Sequence, residues 1–154
     1  MPDTQTLLDR LALQDLATNY ARGVDRIDLE LLETLFTPDA RVAVHHGDPS
    51  KTDPTYEMKG RDEILAGIKS IDRYRATTHF VGQQHAVVEG DHAQGETYCI
   101  AHHLHQDEGV SMNYVMSVRY QDRFERREGR WQFVERVLAT DWHENRAVTP
   151  LVRR

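Results

Sequence analysis

The chain has 154 residues, a formal net charge of −6 with histidine neutral, and one cysteine, Cys99. That length lets a single domain bury most of its apolar surface without disulfides, and a lone cysteine cannot form one internally. The acid excess argues against a nucleic-acid partner, no apolar run approaches the length of a membrane span, and the opening MPDTQTLLDR lacks a signal-peptide core, so a cytoplasmic protein is expected.

Leu7, Leu8, Leu11, Leu13, Leu16, Ala17 and Tyr20 recur at helical spacing and predict an amphipathic helix over 6–23. Asp9, Arg10, Gln14 and Asp15 fall mostly on its other face, and Gly23 is the expected stop. Asp28 is a cap candidate for a short second helix over 28–36, ended by Pro38. ARVAVHH alternates as a strand that places His45 and His46 in the open. GDPSKTDPTYEM, with two prolines, reads as irregular loop. GRDEILAGIKSI predicts a third helix with Asp62 and Glu63 in its first turn.

Beyond that helix the period shifts to two. Strands are expected over 77–89, 93–105, 111–126 and 130–142, joined by turns containing EGD, DEG and REG, so consecutive strands should pair antiparallel. The basic cluster RFERREGR falls at such a turn and is expected to be solvated. The order predicts one α+β domain over 1–154: about three helices laid on a strongly curved antiparallel sheet that encloses a pocket.

Taken singly, Asp25 in GVDRID is a cap or surface residue and His79 in TTHFVG is a hydrogen-bonded strand histidine. As a pair they gain chemistry, because a carboxylate held on one ring nitrogen fixes the tautomer and leaves the other nitrogen as a base. No GxSxG elbow is present and Cys99 has no activating partner in sequence, so a covalent nucleophile is disfavoured. In CIAHHLH, His103 and His105 share a strand face and His102 takes the other. Two histidines could begin a zinc site, but no HExxH or third ligand stands out; a polar pocket wall is favoured, and neither metal nor cofactor is expected. Tyr20 can pack in the core or hydrogen-bond a leaving group. Asn113, Tyr114, Trp142 and Tyr56 are candidates to line a substrate. Arg136, a charge within the apolar FVERVLA, points to a pocket anion, a carboxylate partner or an oligomer edge.

LALQDLATNYARGVDRIDLELLETLFTPDARV, GRDEI, TTHFVG and YQDRFERREGRWQFVERV together resemble the SnoaL-like branch of the nuclear transport factor 2-like superfamily, over roughly residues 7–142. The resemblance implies a cone-shaped α+β barrel with a deep pocket, commonly assembled as a homotrimer or dimer. Within the branch the chain is similar to scytalone dehydratases, hexachlorocyclohexane dehydrochlorinases and bile acid 7-alpha-dehydratases, which are cofactor-free lyases. Asp25 and His79 fall on the positions of their Asp-His dyad. Tyr20 matches a tyrosine of the bile acid enzymes, and His103, with His102 or His105 as alternatives, a second pocket histidine of the scytalone enzymes. Val118, Tyr120 and Val44 replace a serine, an asparagine and a tyrosine of that enzyme's lining. The expected function is elimination from a mostly apolar alicyclic or aromatic small molecule. Alternatives are an isomerase or cyclase with the same base, a carbon-carbon lyase of aromatic catabolism, or a non-catalytic carrier or dioxygenase β-subunit-like module.

Overall fold

The computed structural model describes residues 3–151. Helix α1 spans Thr4–Arg26; its N-cap Asp3 accepts from the Thr6 amide, and it closes at Ile27, whose φ of 52° is left-handed. Gly23 is therefore not its stop. A Cβ there would stand 2.8 Å from Leu32 Cγ, so the glycine admits the close approach of α2, Leu29–Leu35. Asp28 caps α2 as expected, accepting from the Leu31 amide at 3.0 Å.

The buried stripe of α1 is Asp9, Leu13, Leu16, Ala17, Tyr20, Ala21 and Val24, while Leu7, Leu8 and Leu11 are exposed, contrary to the leucine face read from sequence. Asp9 holds an inward position because Arg126 Nη1, Trp131 Nε1 and Gln5 Nε2 donate to its Oδ1 at 2.7, 3.0 and 3.0 Å. Arg126 also bonds Asp91, and Arg127 bonds Asp39 and Glu125, so the basic cluster is tied into ion pairs rather than simply solvated.

Strand β1, Phe36–His46, begins directly after α2 and runs through Pro38. The supposed loop contains a short strand, β2, Tyr56–Lys59, which pairs antiparallel with β1. Then come α3, Arg61–Lys69, and a 3₁₀ turn, Ser70–Arg73. The meander is β3, Ala76–Glu89, β4, His92–Asp107, β5, Val110–Arg127, and β6, Arg130–Ala147. Glu108–Gly109 and Glu128–Gly129 each place two successive residues at positive φ, the turn that suits a twisted hairpin.

The six strands form one open sheet in the order β2-β1-β6-β5-β4-β3. It is mixed rather than wholly antiparallel, because β1 joins β6 in parallel. A bulge between Val81 and Gln84 resets β3, so that Thr77, His79, Gln84, Ala86 and Val88 all turn toward the helices. Phe36, Phe124 and Phe133 pack with Tyr20 at the centre of the core. Among the described residues no helix is long and apolar enough to cross a membrane.

Candidate active site

Asp25 lies in the last turn of α1, where the helix dipole disfavours a carboxylate. Three donors from β3 offset that. Thr77 Oγ1 donates to Oδ1 at 2.8 Å, the His79 amide to Oδ2 at 3.0 Å, and His79 Nδ1 lies 2.7 Å from Oδ1. Burial works to raise the Asp25 pKa, but the His79 side-chain and backbone hydrogen bonds, with the Thr77 hydroxyl, hold it below its ordinary value. The carboxylate is thus ionised at neutral pH, Nδ1 of His79 carries the proton between them, and Nε2 is the nitrogen left to act as a base. Thr77 was missed by sequence reasoning; its signal is its position two residues before His79, on the same strand face.

His103 stands beside this dyad, its ring edge-on to that of His79 with centroids 5.6 Å apart. Its Nδ1 lies 3.3 Å from the Tyr114 carbonyl oxygen. A carbonyl can only accept, so Nδ1 bears the hydrogen and Nε2 the lone pair. Burial, then the charge at His79, pulls the His103 pKa down to about 4, and the ring is neutral at physiological pH. Tyr74, from the link between the 3₁₀ turn and β3, packs on His103 at 4.9 Å. No sequence pattern marked it.

In front of His103 opens a cavity of about 520 Å³ lined by Tyr20, Tyr56, Tyr74, Met58, Met116 and Leu138, with Val42, Val44, Ile64 and Ile68 completing an apolar wall. His79 does not itself line it and is reached from it past the His103 ring, 5.6 Å away between centroids. Its side chain is only 7% exposed, and what remains open faces a groove between α1 and β3 that Asp25 also lines. Tyr20 presents its ring to the cavity and stacks on the Arg136 guanidinium, 4.2 Å from its centroid; burial keeps its hydroxyl protonated.

The remaining candidates are dispersed. Arg136 is fully buried and gives Nε and Nη2 to Asp122 at 2.8 Å each, which realises the carboxylate-partner reading and removes it from the substrate wall. Burial would lower its pKa, but the Asp122 charge and hydrogen bonds raise it further. Tyr114 contacts His103 and faces an adjoining recess rather than the cavity itself. Asn113 and Trp142 belong to the opposite sheet face: Asn113 bonds His102 Nδ1 at 3.0 Å, and Trp142, paired with Ser117, is half exposed. His45, expected in the open, is buried against Thr52, whereas His46 is exposed. His105 bonds Asn145, and among the described residues no group of three or more His, Cys, Asp or Glu side chains could hold a metal. Cys99 is buried and its pKa is pushed up to about 11 by that burial, so it is no nucleophile.

The model of the SnoaL-like domain family matches residues 5–137. No curated protein matches the sequence significantly. Among solved structures the chain is similar to hexachlorocyclohexane dehydrochlorinase LinA-type3 from Novosphingobium barchaimii LL02, at 20% identity and a TM-score of 0.80 over 99% of this chain and 100% of that one. A candidate scytalone dehydratase from Novosphingobium aromaticivorans superposes at 23% identity and a TM-score of 0.74, over 97% of each chain. The β subunit of a candidate aromatic-ring-hydroxylating dioxygenase from the same species does so at 18% identity and 0.75, over 96% of this chain and 97% of that one.

Proposed function

The chain belongs to the SnoaL-like domain family, and from that premise we propose that it is a cofactor-independent lyase whose base is His79, oriented by Asp25. The observation that carries this reading is the 2.7 Å contact between His79 Nδ1 and Asp25 Oδ1 beside an apolar cavity. A small alicyclic or aromatic substrate fills the cavity beside His103 and directs its acidic C–H toward His79 Nε2. The nitrogen takes the proton, the C–H electrons form the new double bond, and the leaving group departs with the electrons of its own bond. It leaves either as halide or as hydroxide that takes the Tyr20 proton to become water, the imidazolium then returning a proton to Tyr20. Asp25 stabilises the imidazolium that results. Tyr20, kept protonated by burial, hydrogen-bonds the departing atom. His103, with its hydrogen committed to Tyr114, accepts rather than donates. The isomerase and cyclase alternatives share the first step and differ in the fate of the electrons; in the carbon-carbon lyase alternative the same base takes a hydroxyl proton, the C–C bond breaks, and a small carbonyl fragment departs.

A screen of alcohols and halides that yield conjugated alkenes, read by ultraviolet absorbance, tests the proposal. Asp25→Asn should lower turnover by about 10²–10⁴-fold, and His79→Gln by at least as much, with folding intact by circular dichroism. Unchanged turnover in both variants would sink the dyad. No turnover of any compound, with ligands still bound, would favour a binding module. The same reading includes assembly with further copies of the chain as a dimer or trimer; exposed Phe80 and Trp142 on the sheet's outer face support it, and sedimentation equilibrium checks it.

A further inference from the structure

Beside the cavity lies an open recess of about 830 Å³ lined by Arg73, Arg75, His105, Tyr114 and Asn145, among others. Arg73 and Tyr74 line both spaces, so the recess continues the cavity outward. The Arg73 guanidinium is held 4.8 Å from the Tyr74 ring centroid and donates to the Tyr74 hydroxyl at 3.2 Å. Arg75, which also lines the recess, is anchored through its amide to the Leu104 carbonyl oxygen at 2.8 Å. Among the described residues neither guanidinium makes an ion pair, whereas Arg41, Arg119, Arg126, Arg127 and Arg136 all do. Even with Asp72 on the same rim counted against them, two guanidiniums leave a positive charge at the mouth of a site in a chain of net charge −6.

We propose that the substrate carries a carboxylate, which Arg73 and Arg75 hold at the cavity mouth while its apolar ring lies in front of His103 and His79. This rests on reading the cavity as the substrate site, and it adds the substrate's chemical class. A single excess positive charge suits a monoanion, and the guanidinium fork matches a carboxylate's two oxygens. Anchoring a remote group in this way holds the reacting carbon in register with the base, which the apolar wall alone cannot do.

The test is calorimetric titration of the full chain with 2-naphthoate and with 2-naphthamide, which share a ring system and differ in charge. Wild-type protein should bind the acid at least about tenfold more tightly than the amide at low ionic strength, and added salt should shrink the difference. In the Arg73→Gln/Arg75→Gln double variant the preference should fall to about twofold or less, with amide affinity unchanged. Equal affinities in wild-type protein, a preference that survives the double variant, or no binding of the acid overturns the proposal. The preference should persist in His79→Gln protein. An intact preference without turnover of any substrate would therefore count against the elimination chemistry and leave the carboxylate site standing.

Discussion

Two buried charges meet different fates in this molecule. Asp25 retains partial access to solvent and binds a group that can take and give a proton, which is the condition for chemistry. Asp122 has none: it is sealed with Arg136, whose guanidinium lies about 4 Å from the ring centroids of Tyr20, Tyr120 and Phe133. The first pair is poised and the second structural, although the sequence presents both as an acid far from its base. Removing one member of the sealed pair strands the other. Arg136→Met should cost about 3–5 kcal/mol in urea unfolding, and Arg136→Met/Asp122→Leu should recover most of that loss because no charge remains buried. Tyr20 stacks on Arg136, so the single variant should also weaken ligand binding in the cavity.

At the level of elements, two glycines on helices face side chains of different freedom. The Leu32 Cγ opposite Gly23 belongs to a fully buried residue, so the methyl of Gly23→Ala has nowhere to go. Overpacking should outweigh the gain in helix propensity, lowering stability by about 1–2 kcal/mol in urea melts. At Gly67 the nearest atoms to the added methyl, its sulfur foremost, all belong to the flexible Met58 side chain, and both residues line the cavity. Gly67→Ala should therefore leave stability nearly unchanged and alter ligand affinity instead. Gly23 also shows where reading the sequence goes astray. A glycine near a helix end signals a stop when judged locally, and only the packing of α2 reveals it as a contact. The meander strands were legible because alternation and EG turns are local signals, and their observed bounds differ from the expected ones mainly by extension, most at β6. β2 and the parallel β1–β6 pairing were not, since each depends on a partner supplied from elsewhere in the chain. Within the site, Asp25 and His79 are 54 residues apart; no periodicity joins them, and family resemblance did. The misplacement of Asn113 and Trp142 has a similar origin: their strands were right, but which face turns toward the helices is decided by register and bulges.

For the molecule as a whole, the site makes stability depend on pH in a definable way. In the unfolded chain His103 takes up a proton near its ordinary pKa of 6.5, whereas burial, then the His79 charge, delays that uptake to about 4 in the folded one. Across this window the unfolded state holds more protons, so stability falls as pH falls, by on the order of 3 kcal/mol in total. Asp25 acts lower. Its folded pKa is depressed below 3.8, so its contribution is complete above that value and is lost as pH drops further. Urea midpoints taken between pH 7 and about 3 should decline for the wild type and stay flatter between pH 7 and 4 for His103→Gln, while Asp25→Asn should change the profile only below about pH 4.

The sheet is open, and β3 forms one of its edges. On that edge the amide of His79 finds no neighbouring strand; it finds the Asp25 carboxylate, which takes the place of the missing carbonyl. One side chain thus finishes the border of the sheet and orients the His79 ring, so its withdrawal breaks both contacts together. Whenever the end of α1 lifts away, that single amide is unmasked at the instant the imidazole loses its orientation. Deuterium uptake at residue 79 would then count the fraction of molecules in which the imidazole has momentarily lost its carboxylate.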